Sequence, residues 1–401
     1  MLLQKARLSY SPAVKAAKSH GRKVRRMEAN VLVYAEAWGF GGIESYLMGV
    51  FRALAGKGFR FTLFTTWDWS DSRDKELEEL GVERVVRFKG YRPGQIRRLR
   101  EGLRSFAGLL RETRFDAVHI NTMNGVGFAY AREAKRQRVP VRIVHSHNSD
   151  VGEGQKALKR GLHSILRNTL LGAETTRLAC SPAAGKHMFG DVGFEVVRNG
   201  VDTERFSFSK SRRSKERKKI GISDDTILAG NPSRLAPAKN PLFQLDVFSE
   251  LLKIEPSSLY VMQDGGEMDA DVKEYAKKLG VEDSVLWFEP RSDIASLYSA
   301  LDVMLFPSLF EGLSLASIEA QCAGLPILAS SNVSKDAAIT ECITFESLSA
   351  PAAAWAQKML SAARKSDSRS GYDALVREAG FDCYQSAANL AETYRSHAGG
   401  V

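Results

Sequence analysis

Along this chain apolar residues gather in short unbroken runs, and between the runs they recur every three or four positions. The first run, "ANVLVYAEA" (29–37), has the length and composition of a strand. A glycine-rich turn follows, and then Ile43, Leu47, Val50 and Leu54 keep helical spacing until Gly56 or Gly58 can end the helix. "FRFTLFTTW" (59–67) is the next strand, and "DWSD" (68–71) after it is a polar loop. The alternation continues with "RFDAVHIN" (114–121) as strand, "VGFAYAREAKRQR" as helix and "VRIVHSH" (141–147) as strand. "TTRLACS" (175–181), "PAAGKHMF" and "FEVVRNG" (194–200) repeat it as strand, helix and strand. Strands that alternate with helices predict parallel sheets covered on both faces.

The pattern breaks at "SKSRRSKERKKIG" (209–221), a polar and mostly basic stretch that predicts a solvated helix or an interdomain segment. It then restarts through "TILAGNPS", "PLFQLDVFSELLK", "SSLYVMQDGG", "SVLWFEP" and "DVMLFPS", and the chain closes on a helical segment, "CYQSAANLAETYRSH" (383–397). The expected organisation is a basic extension over 1–28, a first domain over 29–200 and a second over 201–380. A C-terminal helix over 381–401 has room to cross back to the first domain. Two doubly wound domains facing across a cleft would bind ligands beyond the carboxyl ends of their strands.

Length and charge fit this picture. The chain has 401 residues, too many for one ordinary core. The net charge of +10 is concentrated: residues 1–26 hold eight basic side chains and no acid, and without them 49 basic residues face 47 acidic ones. A nucleic-acid-binding protein would carry its excess on the folded part, so no such partner is expected. The basic segment is either an extension preceding a start at Met27 or a polybasic contact with an anionic membrane surface. It has no continuous apolar core, so no secretory signal is expected, and no run is long enough to span a bilayer. Cys180, Cys322, Cys342 and Cys383 have no metal-site spacing and fit a reducing cytoplasm.

Two carboxylates stand out in "FPSLFEGLSLASIEAQCAGLPILAS" (306–330) because the rest of the run is apolar. "DVMLFPS" and "LPILAS" read as buried strands and "LASIEAQCAG" as a helix between them, with Ser314 at its N-cap and Gly324 and Pro326 ending it. Glu311 then lies in the loop after a strand, and Glu319 lies just over two turns further on, close to the same face. The N–H groups of Gly312, Leu313, Ser314 and Leu315 favour an anion, and an ionised carboxylate pairs naturally with hydroxyls. Amides for phosphates beside carboxylates for diols match a nucleotide sugar.

The same string resembles the E-x7-E segment of glycosyltransferase family 4, retaining enzymes of the GT-B fold. The resemblance implies that Glu311 contacts the donor sugar and Glu319 the ribose. "GGIES" (41–45) is similar to that family's glycine loop, which implies donor or acceptor contacts for Gly41 and Gly42, with Glu44 on the acceptor side. "HSHNS" (145–149), "ACSPAAGKHMFG", "NGVDTERF" (199–206) and "ESLSAPAAAWAQKML" resemble the branch that builds bacterial exopolysaccharide and capsule, and bring in His147 as a donor contact and Asn148 on the acceptor side. "SRLAPAKNPLFQLDVFSELL" (233–252) resembles the branch's phosphate-binding segment, with Arg234 and Lys239 neutralising the diphosphate. Ser233 and Gln263 stand where that pattern has glycine. The implied activity is retaining transfer from a nucleoside-diphosphate-sugar, taken as a UDP-sugar, to a saccharide or polyprenyl-linked saccharide. No cofactor is required, and a donor phosphate oxygen takes the acceptor proton.

Two alternatives stay open: a nucleotide-sugar 2-epimerase of the same architecture, and a non-catalytic nucleotide-sugar-binding protein. A nicotinamide enzyme does not fit, because Gly39-Phe40-Gly41-Gly42 lacks G-x-G-x-x-G spacing. No metal site is expected. His145 should share a face with His147, and His119 is a further candidate. "QIRRLREGLRSFAGLLRE" (95–112) shows an apolar stripe of Ile96, Leu99, Leu103, Phe106 and Leu110, with Arg97, Arg98, Arg100, Arg104 and Arg111 largely away from it. This helix and 155–171 either cover a sheet or also meet a membrane peripherally from the cytoplasmic side.

Overall fold

A computed structural model of the chain describes residues 28–39, 41–148, 156–290, 293–311, 313–364 and 368–396. Residues 1–27, which carry the basic extension, Gly312 and residues 397–401 lie outside them. The first sheet contains β1 (Ala29–Trp38), β2 (Phe59–Asp68), β3 (Glu83–Phe88), β4 (Ala117–Thr122), β5 (Val141–Ser146), β6 (Thr176–Ala179) and β7 (Glu195–Val196). The second contains β8 (Leu228–Asn231), β9 (Leu259–Gln263), β10 (Val285–Phe288), β11 (Val303–Phe306), β12 (Ile327–Ser330) and β13 (Ile343–Glu346). Every pairing is parallel. Val31, Leu32, Val33 and Tyr34 are all buried, which is why β1 reads as a continuous apolar run rather than an alternating one.

Strand order positions the site. The sheets run β3-β2-β1-β4-β5-β6-β7 and β10-β9-β8-β11-β12-β13. Each winds outward in both directions from a central pair, β1/β4 in the first and β8/β11 in the second. Loops leaving those pairs diverge to opposite faces and open a crevice at the carboxyl edge.

The chain crosses between domains twice, side by side. Val201 N donates to Phe381 O at 2.8 Å and Cys383 N to Val201 O at 2.9 Å. A Cβ on Gly200 would collide with the backbone of Asp382 and Cys383, so glycine permits this approach. Asp382 caps the helix Cys383–Arg395 through Tyr384 N (2.9 Å) and Gln385 N (3.1 Å) and accepts from Thr203 Oγ1 at 2.6 Å. That helix packs on the first domain: Tyr394 lies against Phe59 and Phe61, and Arg395 donates to Lys57 O at 2.9 Å. One buried cluster runs from Val31 and Leu47 through Val201, Phe206 and Phe381 to Met304 and Ile318.

Some local expectations fail for identifiable reasons. The basic stretch forms the helix Lys210–Ile220, but it is anchored rather than solvated all round. Arg217 is 1% exposed and reaches Asp302 Oδ2 at 3.1 Å and Ala300 O at 2.9 Å, while Arg213 holds Asp302 Oδ1 at 2.6 Å. In the helix Gln95–Glu112 the stripe holds at Leu99, Leu103, Phe106 and Leu110, which pack on the core, but fails at its start, where Ile96 is 85% exposed and Arg98 is buried against Glu36 at 3.3 Å. Ser314 occupies the N-cap of Leu315–Cys322, yet its side chain makes no capping bond.

Candidate active site in the interdomain cleft

In the second domain two loops leave β8 and β11 and are tied together by Leu309 N donating to Ala238 O at 2.9 Å. The first ends in a 3-10 turn, Pro237–Lys239, closed by Asn240 at φ +54°. This turn aims Lys239 Nζ at Glu311 Oε2, 2.6 Å away, with both side chains about one-fifth exposed. Glu311 is fixed by its backbone, since its carbonyl accepts from Ser334 N at 3.1 Å. An ammonium has three N–H donors, so Lys239 can hold Glu311 and still meet a phosphate. The loop after β9 seals the floor: Leu235 N donates to Gly265 O at 3.2 Å, and Gly266, at φ +128°, presses on the Leu235 backbone where a Cβ would collide. The close backbone approach therefore falls at Gly266, three residues after Gln263.

Glu319 sits in the helix Leu315–Cys322, half-buried, and accepts from Tyr298 Oη at 3.1 Å. Burial pushes its carboxyl up to about 7, against the Tyr298 hydrogen bond and the charges of Arg205, Arg73 and Arg52. Arg73 and Arg52 come from the first domain. Arg73 is oriented by Ser45 Oγ (3.1 Å) and Arg52 by Glu76 (2.5 Å). Leu313 is half-buried, while Ser314 and Leu315 are buried in the first turn of the same helix.

Across the cleft, Gly41 is the N-cap of the helix Gly42–Leu54, and Glu44 lies in its first turn. Glu44 folds back so closely that a Cβ on Gly41 would collide with its carboxylate, whereas Gly42 faces open space. Burial raises the Glu44 carboxyl, and its own backbone N–H, Arg73 and Arg234 pull it back. Arg234 itself lies over the indole of Trp69, 5.5 Å from the ring centre. The two domains are thus in direct contact at the residue expected to meet the diphosphate.

His147 follows β5 and is half-buried. Its Nε2 lies 2.9 Å from Asn121 Oδ1 and its Nδ1 3.1 Å from Asn199 Oδ1. His145 shares its face, with ring centres 4.1 Å apart. Behind it, His145 Nδ1 is 3.2 Å from His119 Nε2, and His119 Nδ1 is 2.7 Å from Tyr394 Oη. Burial holds His119 and His147 down at about 3 and His145 well below the ordinary value, so all three rings are neutral near pH 7. His147 is therefore a neutral hydrogen-bonding group rather than a cation. Asn148 is half-buried, and its carbonyl accepts from Ser146 Oγ at 3.4 Å.

The structure brings Glu311 to Lys239, Glu44 to Gly41 and Arg234, and Glu319 to charges of both domains. It keeps His147 among neutral partners. Sequence reasoning missed Tyr298, Arg73, Trp69 and Asn231, whose buried amide has no hydrogen-bond partner among the described residues at the end of β8. Trp69 and Asn231 follow or end strands, a signal that was available. Tyr298 and Arg73 carry none. Among the described residues no group of three or more His, Cys, Asp or Glu is arranged to hold a metal ion.

Comparison with known proteins agrees with the two-domain fold. Residues 41–200 match a glycosyl transferase 4-like domain, and residues 212–341 match glycosyl transferases group 1. A putative glycosyltransferase of Bacillus subtilis, EpsF, is 28% identical, over 88% of this chain and 93% of its own. An Escherichia coli UDP-Gal:alpha-D-GlcNAc-diphosphoundecaprenol alpha-1,3-galactosyltransferase is 28% identical, over 57% of this chain and 61% of its own. Among solved structures, Anabaena HepE in complex with UDP-glucose superposes with a TM-score of 0.71 at 19% identity, covering 92% of this chain and 99% of that one. WaaG, a glycosyltransferase involved in lipopolysaccharide biosynthesis, gives 0.67 at 18% identity, covering 90% and 98%. The chain is thus built of a glycosyl transferase 4-like domain followed by a glycosyl transferases group 1 domain, in the two-domain GT-B arrangement.

Proposed function

We propose that the protein is a retaining glycosyltransferase that moves a hexose from a UDP-sugar to a saccharide or polyprenyl-linked saccharide in surface polysaccharide synthesis. Residues 201–380 hold the donor and residues 29–200 the acceptor. The observation that carries this reading is the Lys239–Glu311 pair at the β8/β11 crevice, with Glu319 in the helix Leu315–Cys322 that follows. Arg234 and Lys239 meet the diphosphate and stabilise charge that grows on the leaving group. Glu319, its rotamer held by Tyr298, accepts from the ribose diol. Glu311 orients the donor sugar, with Leu313, Ser314 and Leu315 presenting amides beside it; Gly312, expected to join them, lies outside the described residues. Glu44 and Asn148 form the acceptor side, Gly41 and Gly42 let the backbone approach the donor, and His147 offers a neutral hydrogen bond to the donor sugar. A donor phosphate oxygen takes the acceptor proton, so no protein nucleophile is needed.

The relatives support the donor and acceptor classes: one structural neighbour is bound to UDP-glucose, and one relative acts on a diphosphoundecaprenol-linked sugar. A lipid-borne acceptor also suits the exposed Ile96, Arg97 and Arg100 of the helix Gln95–Glu112. These would lie on an anionic membrane surface. Among the described residues no helix is long and apolar enough to cross a membrane.

The test is UDP-glucose turnover followed by NMR. A retaining enzyme slowly releases α-glucose first, at a rate unchanged by a chelator because Arg234 and Lys239 supply the positive charge. Release of β-glucose first would overturn retention. Exchange at sugar position 2 would indicate the epimerase instead.

A further inference from the structure

The first domain presents an aromatic face at the cleft that the donor chemistry above does not use. Trp69 directly follows β2 and is 38% exposed. Its indole lies flat against Gly39, where a Cβ would overlap the ring. The Trp69 backbone N–H donates to Trp38 O at 3.1 Å, which fixes the main chain that carries the ring. The preceding Asp68 is buried and accepts from both Arg84 Nη1 and Nη2 at 3.1 Å and from Gly90 N. The ring is therefore exposed yet braced, and a ligand stacking on it would lose little further entropy in ordering it.

Arg234 from the other domain covers that ring. A cation over an indole is held by the ring quadrupole, but more weakly than a guanidinium in a bidentate pair with phosphate. Beside it, the Glu44 carboxylate interacts with the Arg234 charge. A flat apolar face next to a carboxylate is the chemistry of a pyranose site: axial C–H groups stack on the ring and hydroxyls donate to the carboxylate. Glu311 meets the donor sugar from the second domain and His147 from the first, whereas Trp69 shares Arg234 with Glu44, the carboxylate assigned to the acceptor, so this platform faces that substrate.

We propose that Trp69 is the stacking platform for a sugar ring of the acceptor, and that Arg234 covers it until a donor diphosphate draws the guanidinium away. The proposal rests on the donor reading above. It makes Trp69 a positioning residue and makes acceptor binding follow donor binding.

The experiment uses UDP and methyl α-D-glucopyranoside as probes on the full chain. Saturation-transfer NMR is expected to show contact to the glycoside C–H protons only when UDP is present. The contact is lost in Trp69→Ala and retained in Trp69→Phe, which keeps an aromatic face. Calorimetry should show that Trp69→Ala binds UDP as well as the wild type or up to about fivefold more tightly, because Arg234 no longer has to leave the indole. Glycoside contact that is independent of UDP, or unchanged in Trp69→Ala while UDP still binds, would overturn this proposal alone. Failure of the wild type to bind UDP would overturn the donor reading and this proposal with it.

Discussion

At the carboxyl edge of the second sheet the chain gathers ions, and at the corresponding edge of the first it gathers neutral rings. Lys239, Glu311, Arg234 and Glu319 are charged groups set around β8 and β11, and Glu311 and Lys239 neutralise each other. The β1/β4 crevice is instead backed by the buried, stacked rings of His119 and His145 and the half-buried ring of His147, bonded to Tyr394 and two asparagines. On the proposed function, the contrast follows from what each side would hold. A diphosphate needs mobile counter-charges that can exchange partners. A saccharide needs a fixed wall of hydrogen-bonding groups, supplied there by neutral rings, with the Glu44 carboxylate as the charged group beside them. The first domain achieves this by desolvating its histidines, at the expense of stability in acid.

The largest effect that would sharpen the comparison lies on the ionic side. Glu311→Gln keeps shape and removes the charge. It should lower turnover of UDP-glucose by roughly a hundredfold or more while leaving UDP affinity within about threefold. A fall in affinity as large as the fall in turnover would place Glu311 on the nucleotide instead.

A smaller effect is expected on the neutral side. Tyr394→Phe leaves His119 Nδ1 without its partner and should cost about 1–3 kcal/mol at pH 7.5, read as a lower melting temperature. The acid profile has a definite sign. His119 and His147 are held at about 3 in the folded chain, while an unfolded histidine titrates near 6.5. Their contribution is therefore complete above about pH 6.5 and is lost as pH falls toward 3. His119→Leu should flatten melting temperature against pH in that window. An unchanged slope would break the comparison, because it would mean the histidine wall is not what makes the first domain acid-sensitive.

Much of this is legible in the sequence. The apolar runs from Val31 and Met304 announce buried parallel strands, because strands covered on both faces cannot alternate. Glu311 and Glu319 stand out because a carboxylate inside such a run needs a reason. What stayed hidden depends on distant contacts. Nothing in the spacing links Arg73 or Arg52 to Glu319, because the two domains meet only after folding. The polar stretch 209–221 hid its anchor because Arg217 finds Asp302 eighty-five residues on. Ile96 misled because helical periodicity reports a face without saying how far the sheet beneath it extends. Trp69 was passed over as part of a polar loop, since its role depends on Gly39 beneath it and Arg234 above.

The central claim is that the second-domain crevice grips a nucleoside diphosphate, with Glu319 as an ionised acceptor for the ribose. Titration calorimetry of UDP into wild type and Glu319→Gln tests it most directly, at pH 8 and pH 6. Burial holds the Glu319 carboxyl at about 7, so it is ionised at the higher pH and mostly protonated at the lower. The wild type should bind about tenfold more tightly than the variant at pH 8 and approach it at pH 6, while the variant stays flat. Equal affinities at pH 8, or a variant that keeps the full pH dependence, would contradict the assignment.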